Sequence, residues 1–126
     1  VVIGLSLANE GLINAETEAS AQAIRASYLL GLGSLIDQAE QAGATVVLGG
    51  VYPHDSYHSF QTAALLQTDA TLQTWPHEHL DFMSVTSDAN GHWRSELRFN
   101  NGHPNDVRRL QPHAAPMPNG ACAANG

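Results

Sequence analysis

Two residues near opposite ends of the sequence have types and surroundings that could serve chemistry, one as a proton acceptor and one as a hydrogen-bond donor. His103 follows Asn101-Gly102 and comes directly before Pro104, a residue that can begin a helix. A histidine held in such a loop stays open to substrate, as a general base must. Asn9 follows the apolar run Val1–Leu7, where its side-chain amide could donate a hydrogen bond to an oxyanion. On residue type and position, His103 is a candidate general base and Asn9 a candidate oxyanion donor.

Each residue also has a simpler structural interpretation. Asn9 in a turn can close its own backbone, and His103 can sit in a loop without moving a proton. Asn100, three residues before His103, stands where an acid that orients the imidazole is expected. An amide holds an imidazole by a hydrogen bond but does not offset the charge of the imidazolium; in a serine hydrolase of another fold, Asn in place of the triad Asp lowers turnover about 10⁴-fold. Asp106 is better interpreted as charge in the first turn of a helix.

No serine in the sequence has the surroundings of a nucleophile. The segment Gly4-Leu5-Ser6-Leu7-Ala8 is a poor version of the G-x-S-x-G elbow, because Ser6 lies within the apolar run and not at its end. The other candidates, Ser56, Ser59 and Ser84, have no local signature.

The histidines offer a metal site as a competing interpretation. The segment His77-Glu78-His79 has three ligand-type side chains, and His54 and His58 are four residues apart. Neither group has an HExxH motif or a cysteine pair beside it, and a His-x-His segment in a loop does not point both rings one way. We therefore expect solvated loop histidines, and neither a metal nor a cofactor is predicted.

Composition limits the class of protein. The 126 residues suffice for one domain, and 43% of them are hydrophobic, which is ordinary for a globular protein. Twelve acidic residues, five arginines and no lysine give a net charge of −7, which argues against nucleic acid as a partner. No run is apolar enough for a membrane span. The single cysteine, Cys122, has no internal disulfide partner, so the compartment stays open.

Apolar periodicity predicts alternating strands and helices. The predicted strands are Val1–Leu7, Thr45–Gly50 and Leu80–Val85. The predicted helices run from about Glu16 to Ala42, from Ser56 to near Thr74 with Asp55 as N-cap, and from Pro104 to a point before Pro112, after a polar loop over 88–102.

This alternation is typical of a parallel sheet whose faces are covered by helices. In such sheets ligands bind beyond the carboxyl ends of the strands. Asn9, the loop over 50–55 and the His103 loop are all predicted to lie at that edge. We expect Tyr52 and His54, on the second of these loops, to contact substrate.

Three segments resemble sequence blocks of the SGNH (GDSL-type) hydrolases. Ser6-Leu7-Ala8-Asn9-Glu10 is similar to the block that carries the oxyanion asparagine, and Gly49–Pro53 to the strand end and loop after the next helix. Asn100–Asp106 resembles the Asp-x-x-His block, commonly followed by Pro-Asn-Asp. The resemblance implies a flavodoxin-like three-layer α/β/α sandwich with five parallel strands. It also implies hydrolysis of acyl or acetyl esters, carbohydrate esters among them, without a metal. On this interpretation 1–111 form the C-terminal part of the domain and 112–126 an irregular Ala/Pro/Gly-rich tail.

The sequence departs from the family pattern at several points. Leu7 replaces a glycine, Asn100 replaces the orienting Asp, and the Gly-Asp-Ser block of the nucleophile has no counterpart. We expect an N-terminal segment of the same hydrolase to supply the serine and to pair with Val1–Leu7, which would otherwise be an exposed apolar edge. The alternative is a hydrolase-derived binding or assembly module without catalysis.

Overall fold

The computed structural model describes the backbone of residues 1–100 and 103–104 and the side chains of residues 1–98. It is a mixed α/β fold with a small parallel sheet in the order β1-β2-β3, formed by Val2–Ile3, Val47–Gly49 and Glu78–Leu80. Helices α1 (Glu18–Gln41), α2 (Ser59–Gln73) and α3 (Phe82–Thr86) follow these strands in turn. A separate antiparallel pair contains β4 (Arg98–Asn100) and β5 (His103–Pro104), and short 3-10 helices span Leu12–Asn14 and Ser95–Leu97.

Helix α1 confirms the prediction for this part of the chain. Thr17 caps it, because its Oγ1 accepts the Ser20 N–H at 3.0 Å, and the turn after it contains Gly43 at φ 90°. The helix passes through Gly31 and Gly33 without a break. A Cβ at either glycine would meet nothing within 4 Å, so close packing does not require them.

Helices α1 and α2 pack against each other and therefore lie on the same face of the sheet. This follows from the strand order, because successive right-handed crossovers in one direction place their helices on one side. The two helices and the sheet enclose the core, whose most deeply buried side chains include Tyr28, Leu32, Leu48, Leu65 and Leu72. The described residues thus form a two-layer unit, and the third layer of the expected sandwich is not among them.

The strand register assigns side chains to the two faces of the sheet. Leu48 pairs with Ile3 and lies in the core, whereas Val47 pairs with Val2 on the opposite face. Val2 is 61% exposed, and β1 lies at the edge of the sheet. Strand β1 covers only Val2–Ile3 of the predicted Val1–Leu7, so the prediction of a long first strand is wrong.

The prediction of a third strand over Leu80–Val85 is also wrong. Strand β3 ends at Leu80, and α3 begins immediately afterwards. Asp81 starts this helix, because its carboxylate accepts the Ser84 N–H at 3.1 Å. A short apolar run does not distinguish a strand from a helical turn, and here the side-chain cap decides the outcome.

Helix α2 begins three residues later than predicted, and its N-cap position is His58, not Asp55. The Asp55 carboxylate bonds instead with the far side of the loop, where it accepts the Trp93 N–H at 2.9 Å and pairs with Arg98. Its contacts with Trp93 and Arg98 therefore replace the expected role of Asp55 as the helix N-cap.

The region around His103 differs from the predicted loop and helix. Strand β4 and a bridge between Ser87 and Trp93 interrupt the predicted loop over 88–102. Pro104 lies in β5 and does not begin a helix, because the chain is extended there and pairs with β4. The remainder of that helix with Asp106, the tail over 112–126 and Cys122 lie outside the described residues.

Candidate functional site

The Ser6 hydroxyl joins two segments at the carboxyl edge of the sheet. Its Oγ accepts the Tyr52 hydroxyl at 3.2 Å and the Asn9 backbone N–H at 3.3 Å. Ser6 follows β1 by three residues and Tyr52 follows β2 by three residues, so adjacent strands bring the two side chains together. This serine therefore positions its neighbours, and its oxygen is occupied as an acceptor.

The Asn9 side chain is exposed in the turn that follows Ser6. Backbone bonds hold this turn, including Glu10 N–H to Ser6 O at 2.9 Å and Gly11 N–H to Ala8 O at 3.0 Å. Within the described part of the chain, the Asn9 side-chain amide makes no hydrogen bond and does not close its own turn. An exposed amide on a fixed turn is available to an external acceptor, as an oxyanion donor has to be.

Asp55 connects the Tyr52 loop to the segment that leads to His103. One carboxylate oxygen accepts the Trp93 N–H, and the other pairs with the Arg98 guanidinium at the start of β4. The Asp55 side chain is 11% exposed, so the pair is shielded on one side, although Arg98 is 46% exposed. The Trp93 indole also stacks on Tyr52, with ring centroids 6.0 Å apart. The β2–α2 loop therefore contacts β4 through Arg98, and it contacts the segment before β4 through Trp93.

His54 is held within its own loop. Its Nδ1 accepts the Ser56 N–H at 3.2 Å and lies 2.8 Å from the Ser56 Oγ, and its ring stacks on Tyr57 with centroids 5.0 Å apart. Because Nδ1 accepts a hydrogen bond, the neutral ring carries its proton on Nε2. His54 is thus a fixed, half-buried ring at the side of the site.

Two buried tyrosines beneath this edge stay neutral. Burial raises the pKa of Tyr28 to about 12, with smaller contributions from the negative charge of Glu10 and from Tyr52. Burial, and then Tyr52, raises the pKa of Tyr57 above its usual range. The Tyr28 hydroxyl donates to Leu5 O at 3.4 Å, which supports the chain just before Ser6. Tyr28 therefore supplies a fixed hydrogen bond, and neither tyrosine carries charge at neutral pH.

His103 and Asn100 are described by their backbone alone. They face each other in the antiparallel pair of β4 and β5, next to the pairing of Arg98 with Pro104. The chain therefore brings these two residues together, and Asp55 ties the same pair of strands to the Tyr52 loop. The roles predicted for the His103 and Asn100 side chains remain predictions.

The other histidines are distributed over separate surroundings. His77 Nε2 lies 3.0 Å from a Glu40 carboxylate oxygen, whereas Glu78 and His79 alternate between the two faces of β3. Both nitrogens of His79 are buried without a hydrogen-bond partner in the described structure. Within residues 1–100 and 103–104, no three His, Cys, Asp or Glu side chains are grouped so that they could hold a metal ion.

Sequence reasoning missed the residues that hold the site together. Ser6 was considered only as a nucleophile, Asp55 only as a helix cap, and Trp93 and Gln61 were not considered. Gln61 is 3% exposed and bonds to the segment after the Asn9 turn. A signal for it was present, because Gln61 shares the apolar stripe of α2 with Ala64, Leu65 and Leu72.

No known protein-family model matches the sequence, and no curated protein matches it significantly. The helices in the described part of the chain are too short or too polar to cross a membrane.

Proposed function

We propose that this chain carries the general base and the oxyanion donor of an SGNH-type serine ester hydrolase that acts on acyl or acetyl esters. The Asp55–Arg98 ion pair is the observation that carries the proposal. The ion pair joins the loop of Tyr52 to β4, the strand that pairs with the His103 segment. The same loop bonds to the Asn9 turn, because Tyr52 and the Asn9 backbone N–H both donate to Ser6. Three segments distant in sequence thereby meet at the edge of the sheet where α/β proteins bind ligands.

In this mechanism His103 takes the proton of a serine hydroxyl as the serine oxygen attacks the acyl carbon. The carbonyl oxygen becomes an oxyanion, to which the Asn9 side-chain amide donates. His103 then gives the proton to the leaving alcohol, and water hydrolyses the acyl-enzyme by the same route. The Ser6 hydroxyl holds the backbone N–H of Asn9 and so fixes the donor before substrate arrives.

In this proposal the attacking serine comes from an N-terminal segment of the same hydrolase. Ser6 is unsuited to the role, because Tyr52 and Asn9 donate to its oxygen and no histidine contacts it within the described structure. The exposed Val2 at the edge of the sheet supports an added strand there, since edge strands offer unpaired backbone groups to a partner.

The alternative function is a binding or assembly module that keeps the hydrolase architecture without catalysis. Asn100 favours it, because an amide next to His103 does not offset an imidazolium charge. The two functions make opposite predictions for activity.

The first test is the intact mass and N-terminal sequence of the natural protein, followed by its reaction with a fluorophosphonate probe. We expect a chain longer than 126 residues, with the label on a serine before Val1. Hydrolysis of 4-nitrophenyl acetate should fall about 10²–10⁴-fold in His103→Ala and about 10²–10³-fold in Asn9→Ala.

His92→Ala and Asn90→Ala are the matched controls, and both should keep the activity of the unmodified protein. A protein that neither reacts with the probe nor hydrolyses the ester contradicts the esterase and supports the binding module. Labelling of Ser6 would contradict the assignment of the nucleophile.

A further inference from the structure

A cleft of about 280 Å³ opens between the C-terminal half of α1 and the segment that joins α2 to β3. Helix α1 contributes Gly33, Ile36 and Asp37 to its lining, and residues 75–77 form the opposite side. Residues 75–77 come directly before β3, and α1 ends shortly before β2, so the cleft lies at the amino edge of the parallel sheet. The site of the proposed hydrolase lies at the carboxyl edge, and the cleft therefore has no part in that mechanism.

Trp75 gives the cleft an aromatic wall. Its side chain packs against the hydrophobic core, and its backbone N–H donates to Leu72 O at 3.1 Å. The next contact along the segment joins the two sides of the cleft, because His77 Nε2 lies 3.0 Å from a Glu40 carboxylate oxygen in the last turn of α1. The wall is therefore held in place before a ligand binds. An indole ring is the aromatic side chain that attracts a cation most strongly.

The α1 side of the cleft carries negative charge that is not offset within the described structure. Asp37 is exposed, and its carboxylate has no hydrogen-bond or ion-pair partner among the described residues. Glu40 lies three residues further along the same face, and like charges at this spacing repel each other. The last turn of α1 contains Glu40 and no basic residue, although the helix dipole disfavours negative charge there. A cation beside Asp37 would relieve both unfavourable interactions.

Gly33 leaves room for a ligand on the α1 side of the cleft. It lies one turn before Asp37 on the same face of the helix, and a Cβ at this position would meet nothing within 4 Å. A glycine inside a helix lowers helix stability relative to alanine, and the packing of the described residues does not require one here. A longer side chain at this position would extend into the cleft, because Gly33 is part of its lining.

We propose that this cleft binds a small organic ammonium ion. The indole of Trp75 contacts the alkyl groups of the ion, and the carboxylate of Asp37 offsets its charge. A calcium ion fits less well, because it takes about six to eight oxygen ligands. Within residues 1–100 and 103–104, no three His, Cys, Asp or Glu side chains are grouped to hold a metal. The proposal is independent of esterase activity, since the two sites lie at opposite edges of the sheet.

An NMR titration of the full-length isotope-labelled protein with tetramethylammonium chloride tests the proposal. We expect binding in the millimolar range, with shifts of the Trp75 indole signal and of the backbone signals of Asp37 and His77. tert-Butanol has a similar size and no charge, and it should bind about tenfold more weakly. Sodium chloride at the same concentration is the salt control and should not reproduce these shifts. The binding should weaken as ionic strength rises, because Asp37 is exposed to solvent.

Two glycine variants test the location of the site without removing a side chain. Gly33→Leu should abolish the binding, because the leucine fills the cleft. Gly31→Leu is the matched control and should leave the binding unchanged, since Gly31 lies on the same helix but does not line the cleft. Trp75→Leu and Asp37→Asn should each weaken the binding about tenfold, whereas Glu18→Gln, at the far end of α1, should not change it.

Three results would overturn the ammonium site. The first is equal affinity for tetramethylammonium and tert-butanol, and the second is equal binding by Gly33→Leu and the unmodified protein. The third concerns Arg108 and Arg109, which lie outside the described residues. Cleft signals that shift in Arg108→Gln or Arg109→Gln without added ligand would mean that the chain's own guanidinium group fills the cleft. Tetramethylammonium binding by a protein that does not hydrolyse 4-nitrophenyl acetate keeps the ammonium site and overturns only the proposed function.

Discussion

Replacement of Gln61 by Met tests whether one buried amide holds residues 12–15 and the start of α2 together. Methionine has a similar length but neither donates to Leu12 O nor accepts the His58 N–H. Leu12 O keeps the Ala15 N–H at 3.1 Å, but Ala15 O and the His58 N–H are left without hydrogen bonds in buried or part-buried surroundings, at about 1–2 kcal/mol each. We therefore expect the free energy of unfolding to fall by about 2–4 kcal/mol.

Urea unfolding followed by circular dichroism measures this loss. With a slope of about 2 kcal/mol per molar urea, the midpoint should fall by about 1–2 M while the slope stays the same. Gln67→Met is the matched control, because Gln67 lies on the same helix, is exposed, and its side chain bonds only to Gln22 within the described structure. An equal loss in both variants, or a loss below about 0.5 kcal/mol in Gln61→Met, would refute the reasoning.

Gln61→Glu adds a pH dependence whose sign follows from the same bonds. A carboxylate at this position still accepts the His58 N–H but faces the carbonyls of Leu12 and Ala15 without a proton to donate. Burial among these carbonyls raises its folded-state pKa above the ordinary value of about 4.3. The stability of this variant should therefore be highest below that value and be lost as pH rises through the raised pKa.

Further predictions concern other parts of the molecule. In Asp55→Asn the amide oxygen still accepts the Trp93 N–H, but the ion pair with Arg98 is lost. We therefore expect the free energy of unfolding to fall by about 1 kcal/mol and hydrogen exchange in β4 and β5, measured by NMR, to become faster. Gly50→Ala places a Cβ 2.6 Å from Leu80 O, which should cost about 1–3 kcal/mol in urea unfolding, whereas Gly31→Ala in the open helix should stabilise by about 0.5–1 kcal/mol. Burial, and then the charge of Asp81, raises the pKa of Asp69 against the opposing effects of His79 and Gln73. The protein with Asp69 is therefore most stable below the ordinary pKa of this carboxyl group, and this stability is lost as pH rises through the raised pKa. Asp69→Asn should stabilise the protein at neutral pH and lose this advantage in acid. Equal stabilisation at both pH values would contradict this prediction.

Local patterns predicted the elements whose causes are local. Helix α1 was placed correctly because its apolar stripe continues over many turns and ends at Gly43. Strand β2 was placed correctly, though longer than observed, because Val46 and Leu48 belong to one β-branched and aliphatic run before two glycines. In each case neighbouring residues alone determine the structure.

The errors occur where a distant partner decides the structure. Aspartate is a residue type typical of a helix N-cap, but the partners of Asp55 are Trp93 and Arg98, which lie about forty residues further along the chain. The packing of residues 12–15 against α2 depends in the same way on Gln61, whose bonds reach back to Leu12 and Ala15. The strand order also requires tertiary information, since the alternation of strands and helices fits both a two-layer and a three-layer arrangement.

The open face of the sheet connects the fold with the proposed function. Parallel sheets are normally covered on both faces, yet Val2 is 61% exposed and Leu80 is 38% exposed on the face opposite α1 and α2. We expect the segment that supplies the serine to supply also the strand beside β1 and a helix over this face.

Hydrogen exchange distinguishes this arrangement from one in which the described sheet is self-sufficient. In the longer polypeptide, backbone amides of Val2 and Ile3 should exchange at least tenfold more slowly than in the 126-residue chain alone. Amides in the middle of α1 serve as the control, because their hydrogen bonds lie within the helix and do not depend on an added strand. Equal exchange of β1 in both proteins would mean that no strand is added at this edge, and the nucleophile would then have to reach Asn9 from another direction.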